Sequence, residues 1–354
     1  MDRIKNNQIT MKSLKYLITL VAALSLTIMA AEKSHAQDDA RSEVITLFNQ
    51  AQEQASSGDF TGAIELFEDA LEVANANAIM DIAGQIEDIL PRVAQSRASN
   101  AYRAYQNERT RSSATQAIRY FEIAKEMADE YGDSEVAQRA QAAIPQLYYI
   151  RGILEFRNEN YDDSIADLEK AMELNANYAA PYYQMGVVMK AVNPNDIDQA
   201  MEWYDKAIEV ADRTNDTRTL QSARNGARDE LIFRAVNLAE DRSFNRAIQL
   251  LNRVLERYDS ESADAHYRLA EIYNERGNWD DALRHSRRAL ELETGGVTDR
   301  AKIYFELGTA HKGKGEKTRA CSAFENARYG EFTDPANFEL QFELKCEGHT
   351  PTGR

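Results

Sequence analysis

The sequence predicts an all-α array of antiparallel helix pairs, and three observations carry that prediction. Apolar residues recur at the spacing of amphipathic helices, as with His266, Leu269, Ala270 and Tyr273. Pairs of such stripes are joined by tight turns, as at Gly58-Asp59-Phe60 and Gly277-Asn278-Trp279. The same residue types then return at the same distances further along the chain. A single hairpin of this kind cannot bury its own apolar faces, so it needs neighbours of its own kind. The 354 residues include only 6 Pro and 16 Gly, so no long flexible linker is expected.

The first segment reads as an address. Lys12 and Lys15 precede an uncharged apolar run from Tyr16 to Ala31, and Ser34 and Ala36 are small where a signal peptidase reads. The run is shorter than the roughly 20 residues that cross a bilayer. The expectation is a signal peptide over 1–36, cleavage before Gln37, and a bacterial protein that is periplasmic or extracellular. No Cys follows the run, which argues against a lipid anchor, and Met11 offers a more usual opening than the polar Met1 to Thr10. The formal charge is -16; residues 1–36 carry five Lys/Arg and two Asp/Glu, so their removal leaves -19. Nucleic acid is excluded as a partner, because phosphate binding needs basic patches. No membrane span is expected after signal removal.

Residues 37–42 read as a polar lead-in and 43–334 as the array. In the best-defined pair, Ala263 to Thr294, a second stripe holds Trp279, Ala282, Leu283, Ala289 and Leu290. Ala270 and Ala282 are small where the helices cross, and Trp279 is large where a hole would remain. The same succession starts at Ala51 (Phe60, Ala63, Phe67, Ala70), Gly152 (Tyr161, Ser164, Leu168, Ala171) and Ala235 (Phe244, Ala247, Leu251, Val254). In each, the turn aromatic lies nine residues after the small residue. From Gly186 the turn is lengthened by Asn193-Pro194-Asn195 before Ala200, Tyr204 and Ala207. From Gly308, Lys317 replaces the turn aromatic, and Ala320, Phe324 and Ala327 follow. A weaker pair runs from Ala98 to Tyr131 through Ala117, Phe121 and Ala124. Ala74 to Leu90 and Thr214 to Arg228 are extra helical segments, expected to lengthen neighbouring helices or to add one. Asp334-Pro335 opens a last helix, 335–346, with Phe338, Leu340, Phe342 and Leu344 available to cover the final repeat. Residues 347–354 read as a disordered tail.

This pattern resembles the tetratricopeptide repeat family, whose period is about 34 residues with small residues at helix crossings and an aromatic at the turn. The interval from Gly152 to Gly186 is one such period. The resemblance covers most of the chain beyond residue 42. It implies a right-handed superhelical solenoid of about seven units, less regular at 74–131 and 213–228, with first helices on the concave face. Few units end in the family's usual Pro.

Catalytic constellations are not visible. His266, His285, His311 and His349 are isolated, and no HExxH, GxSxG or GxxxxGK[ST] occurs. Gly308 to Gly315 (GTAHKGKG) is glycine-rich but follows no strand, so it is not read as a phosphate loop. Paired carboxylates such as Asp162-Asp163 and Asp280-Asp281 begin second helices, where the dipole favours them. No enzyme, cofactor or metal is expected. Cys321 and Cys346 form an even pair in an exported chain, which favours a disulfide.

One stripe carries the functional expectation. Three residues before each small residue lie Tyr149, Tyr183, Ile232, Tyr267 and Phe305; four after lie Phe156, Lys190, Ala239, Asn274 and Lys312. In the family the first of these positions faces the concave groove, where aromatics with scattered Lys and Asn suit an extended peptide or a partner helix. The other reading of the aromatics is packing between repeats. The function expected is a non-enzymatic scaffold or adaptor for protein or peptide partners, in envelope assembly or protein sorting. The rivals are an accessory subunit that positions substrate for a separate envelope enzyme, and a glycan or lipid carrier.

Overall fold

The computed structural model describes residues 37–348. The expected signal peptide and residues 349–354 of the expected tail lie outside them; Glu347 and Gly348 form a turn. Among the described residues there are fifteen α-helices and no strand. The chain divides into two compact units, one ending at Ala176 and one beginning at Asn177.

The first unit holds three hairpins: α1 (described over 37–57) with α2 (Phe60–Ala76), α3 (Met80–Glu108) with α4 (Arg111–Tyr131), and α5 (Ser134–Arg157) with α6 (Tyr161–Leu174). The second holds four: α7 (Ala179–Val192) with α8 (Asp198–Thr214), α9 (Thr217–Glu240) with α10 (Phe244–Arg253), α11 (Ala263–Glu275) with α12 (Trp279–Leu292), and α13 (Val297–Gly313) with α14 (Lys317–Asn326). A short helix α15 (Thr333–Phe338) runs on as a wider turn over Glu339–Glu343. The extra segments lengthen helices rather than add one. In α3 and α5, Pro91 and Pro145 sit inside the helix, each seven residues before the small crossing residue. Proline suits the first turn of a helix; here added turns precede it.

The hairpins close by a repeated size exchange. Sixteen residues after Ala51, Gly152, Ala235 and Gly308 stand Phe67, Leu168, Leu251 and Phe324, and the longer turn puts Tyr204 eighteen after Gly186. These five large side chains are 0–1% exposed. A Cβ added at Gly186 would lie 2.7 Å from the Tyr204 ring, and one at Gly308 2.9 Å from the Phe324 ring. The glycines are therefore room for the facing ring. The turns share a second feature, seven residues after the small residue: Gly58, Glu159, Arg242, Gly277 and Gly315 all have positive φ. Glu159 (φ 62) and Arg242 (φ 60) hold there a conformation that glycine adopts at lower cost.

Side chains satisfy the helix starts. Asp59, Asp133, Asp216 and Ser262 each accept a hydrogen bond from a backbone N–H of the first turn. Asp162-Asp163 and Asp280-Asp281 lie in the first turns of α6 and α12. The glycine-rich run is structural throughout. Gly308 makes room for Phe324, Gly315 supplies the turn, and a Cβ at Gly313 would lie 2.4 Å from the Trp279 indole. Trp279 is half-buried and packs on α13, so it joins two hairpins rather than plugging one.

At the C-terminus, Leu340 and Cys346 are buried with Ala336 against Ala320, Phe324 and Ala327. Phe338 and Phe342 are 53% and 52% exposed, and their rings meet at a tilt with centroids 5.5 Å apart. This corrects the expectation that both cover the last repeat. Residues 338, 340, 342 and 344 alternate with a period of two, and a helix cannot turn them all to one side. Cys321 and Cys346 are joined by a disulfide, with Cα atoms 6.0 Å apart.

Candidate partner-binding site

In the first unit, Tyr149, Ile153 and Phe156 lie along one face of α5 and are half-buried. The Phe156 ring is 5.9 Å from that of Tyr161, the first residue of α6. Beside this row a cavity of about 410 Å³ opens between α3 and α5, floored by Tyr105, Ile150, Ile153 and Leu154 and edged by Arg109 and Arg157. Tyr105 stacks on Tyr102, with centroids 6.2 Å apart.

In the second unit the expected stripe divides. Tyr183 is half-buried, its ring 5.8 Å from that of Tyr204. Lys190 is exposed and pairs with Glu230 at 3.3 Å, which also accepts from Arg234. Phe305 is half-buried between Phe324 (5.3 Å) and Phe332 (5.4 Å). Lys312 pairs with Glu339 at 2.6 Å and so reaches the C-terminal helix.

Ile232, Tyr267 and Asn274 do not line a surface, which corrects their assignment to a groove. They are only 8%, 5% and 6% exposed. Tyr267 packs on Ala289 and Ile303, with Lys302 and Arg268 4.8 and 4.9 Å from its ring centroid. At these places the next hairpin covers the first helix, so the aromatic is inter-repeat core. Position two before the small residue, which the sequence argument passed over, is exposed on α9: Phe233 is 58% exposed.

Two buried polar contacts also went unseen. His266 and His285 are not isolated. The hairpin sets their Nδ1 atoms 2.9 Å apart, and Tyr273 stacks on His285 at 5.6 Å. Asn274 Nδ2 donates to Glu306 Oε2 at 2.7 Å and to the Glu306 carbonyl at 2.9 Å, while Asn274 Oδ1 has no partner. Burial pushes the Glu306 carboxyl up to about 7, against the Asn274 hydrogen bond, with Glu271 and Glu275 adding to the rise. Burial, then His266 and Arg284, holds His285 down at about 4.

The two groups act in opposite directions on stability. Unfolding frees Glu306 to ionise near 4.5, so its contribution is lost as pH rises from 4.5 to 7. Unfolding lets His285 protonate near 6.5, so stability is lost as pH falls from 6.5 to 4. Glu306→Gln is therefore expected to stabilise the protein at pH 8 by roughly 1–3 kcal/mol, or several degrees in Tm, with little change at pH 4. The added amide N–H can also serve Asn274 Oδ1. Thermal melts of both proteins at the two pH values check this, and an equal shift at both would reject it.

Among the described residues no group of three His, Cys, Asp or Glu could hold a metal ion, and no helix is long and apolar enough to cross a membrane.

These helix hairpins define a class, the helical repeat scaffolds. One family model of the tetratricopeptide repeat matches residues 238–294, and another matches 145–178, beginning at Pro145. The chain carries tetratricopeptide repeats over these two stretches, within a helical scaffold of the protein-interaction kind. No curated protein matches it. Among solved structures, YrrB, described as a TPR protein with an unusual peptide-binding site, is 18% identical over 51% of this chain and 84% of its own, with a TM-score of 0.32. Pseudomonas aeruginosa PilF is 16% identical over 58% and 84%, with a TM-score of 0.33. The TPR domain of P58(IPK) is 12% identical over 86% and 97%, with a TM-score of 0.32. At these TM-scores nothing about a partner follows.

Proposed function

We propose that the protein is an exported, non-enzymatic adaptor that binds a protein or peptide partner on the faces of its first helices, within the cell envelope. One observation carries the reading: α5, in a matched repeat, keeps Tyr149, Ile153 and Phe156 half-buried along one face beside the cavity on α3. A solvated helix face has no need of such a row, and contiguous exposed apolar surface marks recognition. Export rests on the Lys12-to-Ala36 succession.

Site-specific photo-crosslinking in the native host tests both parts. A photoreactive residue at Phe156 is expected to capture a discrete envelope protein, and one at Glu169, exposed on α6, is not. This protein's own chain in the crosslinked product is expected to begin at Gln37. Equal capture from both positions, or none from Phe156, rejects the face; a retained Tyr16-to-Ala31 segment rejects export.

A further inference from the structure

The cavity between α3 and α5 is unusual in its charge. The chain has 58 Asp and Glu against 42 Lys and Arg, so carboxylates are in surplus for every cation. Nearby arginines use them: Arg111 pairs with Asp163 at 2.6 Å and Arg151 with Asp167 at 2.6 Å. Arg109 and Arg157, on the rim, pair with no carboxylate among the described residues. Both are exposed. Both line the same cavity as Tyr105; burial and then Tyr102 hold the Tyr105 phenol above its usual pKa, and the two arginines act against that rise. Each arginine also stands at the carbonyl end of its helix, where a cation is favoured. That accounts for a positive charge at each end. It does not account for Tyr105, Ile150, Ile153 and Leu154 lining one cavity together with the two charges.

We propose that this cavity binds an acidic, apolar segment of the partner: a large apolar side chain enters the floor of Tyr105, Ile150, Ile153 and Leu154, and flanking Asp or Glu side chains pair with Arg109 and Arg157. This rests on the function proposed above and names the chemistry of the partner at that site. Guanidinium groups suit the task, because each can hold a carboxylate through two parallel N–H donors. The net negative charge of the protein does not forbid it. At physiological salt, fields are screened beyond about 8 Å. A ligand in the cavity then feels the two arginines at contact and little of the distant surplus.

The probe is a rhodamine-labelled octapeptide of alternating leucine and glutamate, capped at both ends so that its charge lies in side chains. Fluorescence anisotropy at physiological salt, on the mature chain, is expected to show saturable binding. Arg109→Ala with Arg157→Ala should weaken it at least about tenfold, as loss of charge-assisted pairs does. Arg109→Lys with Arg157→Lys should restore part of it, since charge is kept while the paired donors are lost. An alternating serine and glutamate peptide should bind at least about tenfold more weakly, because it lacks the apolar side chains. Arg242→Ala with Arg246→Ala, exposed arginines elsewhere, should leave binding unchanged.

Binding that survives the double alanine change, or no binding at about 1 mM peptide (a free energy near -4 kcal/mol), overturns the proposal. Tighter binding of dodecanoate than of the peptide overturns the assignment of a peptide. If Phe156 still captures an envelope protein when the acidic peptide fails, the first-helix face stands and only the acidic chemistry falls.

Discussion

Tyr204→Ala is expected to destabilise the second unit by roughly 3–5 kcal/mol, the range for emptying a large buried aromatic site. Tyr204 is 1% exposed, and its ring lies across Gly186 and near Gly226. Tyr183 closes one side at 5.8 Å. Gly186→Ala would gain about 1 kcal/mol of helix propensity, but its Cβ would lie 2.7 Å from the ring and 3.2 Å from the Ala200 carbonyl. Overpacking of this kind costs about 1–3 kcal/mol, so the single change should destabilise. In a Tyr204→Leu background its sign should reverse. The pair would then match Ala235 with Leu251, which the same chain already packs with both residues fully buried. Urea melts of the four proteins measure the coupling. If Gly186→Ala costs the same in both backgrounds, the exchange of size between small and large residues is not what closes the hairpin.

The recurrence of these residues was legible in the sequence, but the filling of the crossing was assigned to Trp279 and not to the residue sixteen further on. A residue and its partner sixteen further on meet whenever two helices fold back across a turn of constant length. The left-handed residue within the turn was legible only where it is a glycine. Glu159 and Arg242 take the same left-handed position without a glycine to announce it. Whether a first-helix side chain faces solvent was not legible. It depends on how the next hairpin crosses, and nothing local to Tyr267 distinguishes it from Tyr149. Tyr267 is covered by Ile303 and Ala289, whereas Tyr149 and Phe156 stay half-buried. The arginines of the α3–α5 cavity were invisible for a related reason. They are distant in sequence, and only the antiparallel return of α4 brings their helix ends together.

Replacing Cys321 and Cys346 by serine is expected to loosen the C-terminal segment selectively, by roughly 3 kcal/mol in the chain-entropy account of a loop this size. The two residues are 25 apart in sequence and close the segment over α14. Few other contacts hold it. Leu340 and Ala336 are buried against Phe324 and Ala327, while Phe338 and Phe342 face outward and contribute little. The Lys312–Glu339 pair is partly exposed, and such pairs are worth at most about 1 kcal/mol. Stability in a repeat array is roughly a sum of local terms and nearest-neighbour interfaces. The loss should therefore appear at 333–346 and not at α11 or α12. Hydrogen exchange resolves this. A change of about 3 kcal/mol is roughly 150-fold in local opening, expected for Leu340 and its neighbours. The amides of Leu269 and Ala289, buried two hairpins inward, should keep their protection. Equal acceleration at both places would mean that the last hairpin and its cap unfold only with the whole unit. Unchanged protection at Leu340 would mean that packing on Phe324 alone holds the cap, and that the disulfide adds nothing to its local stability.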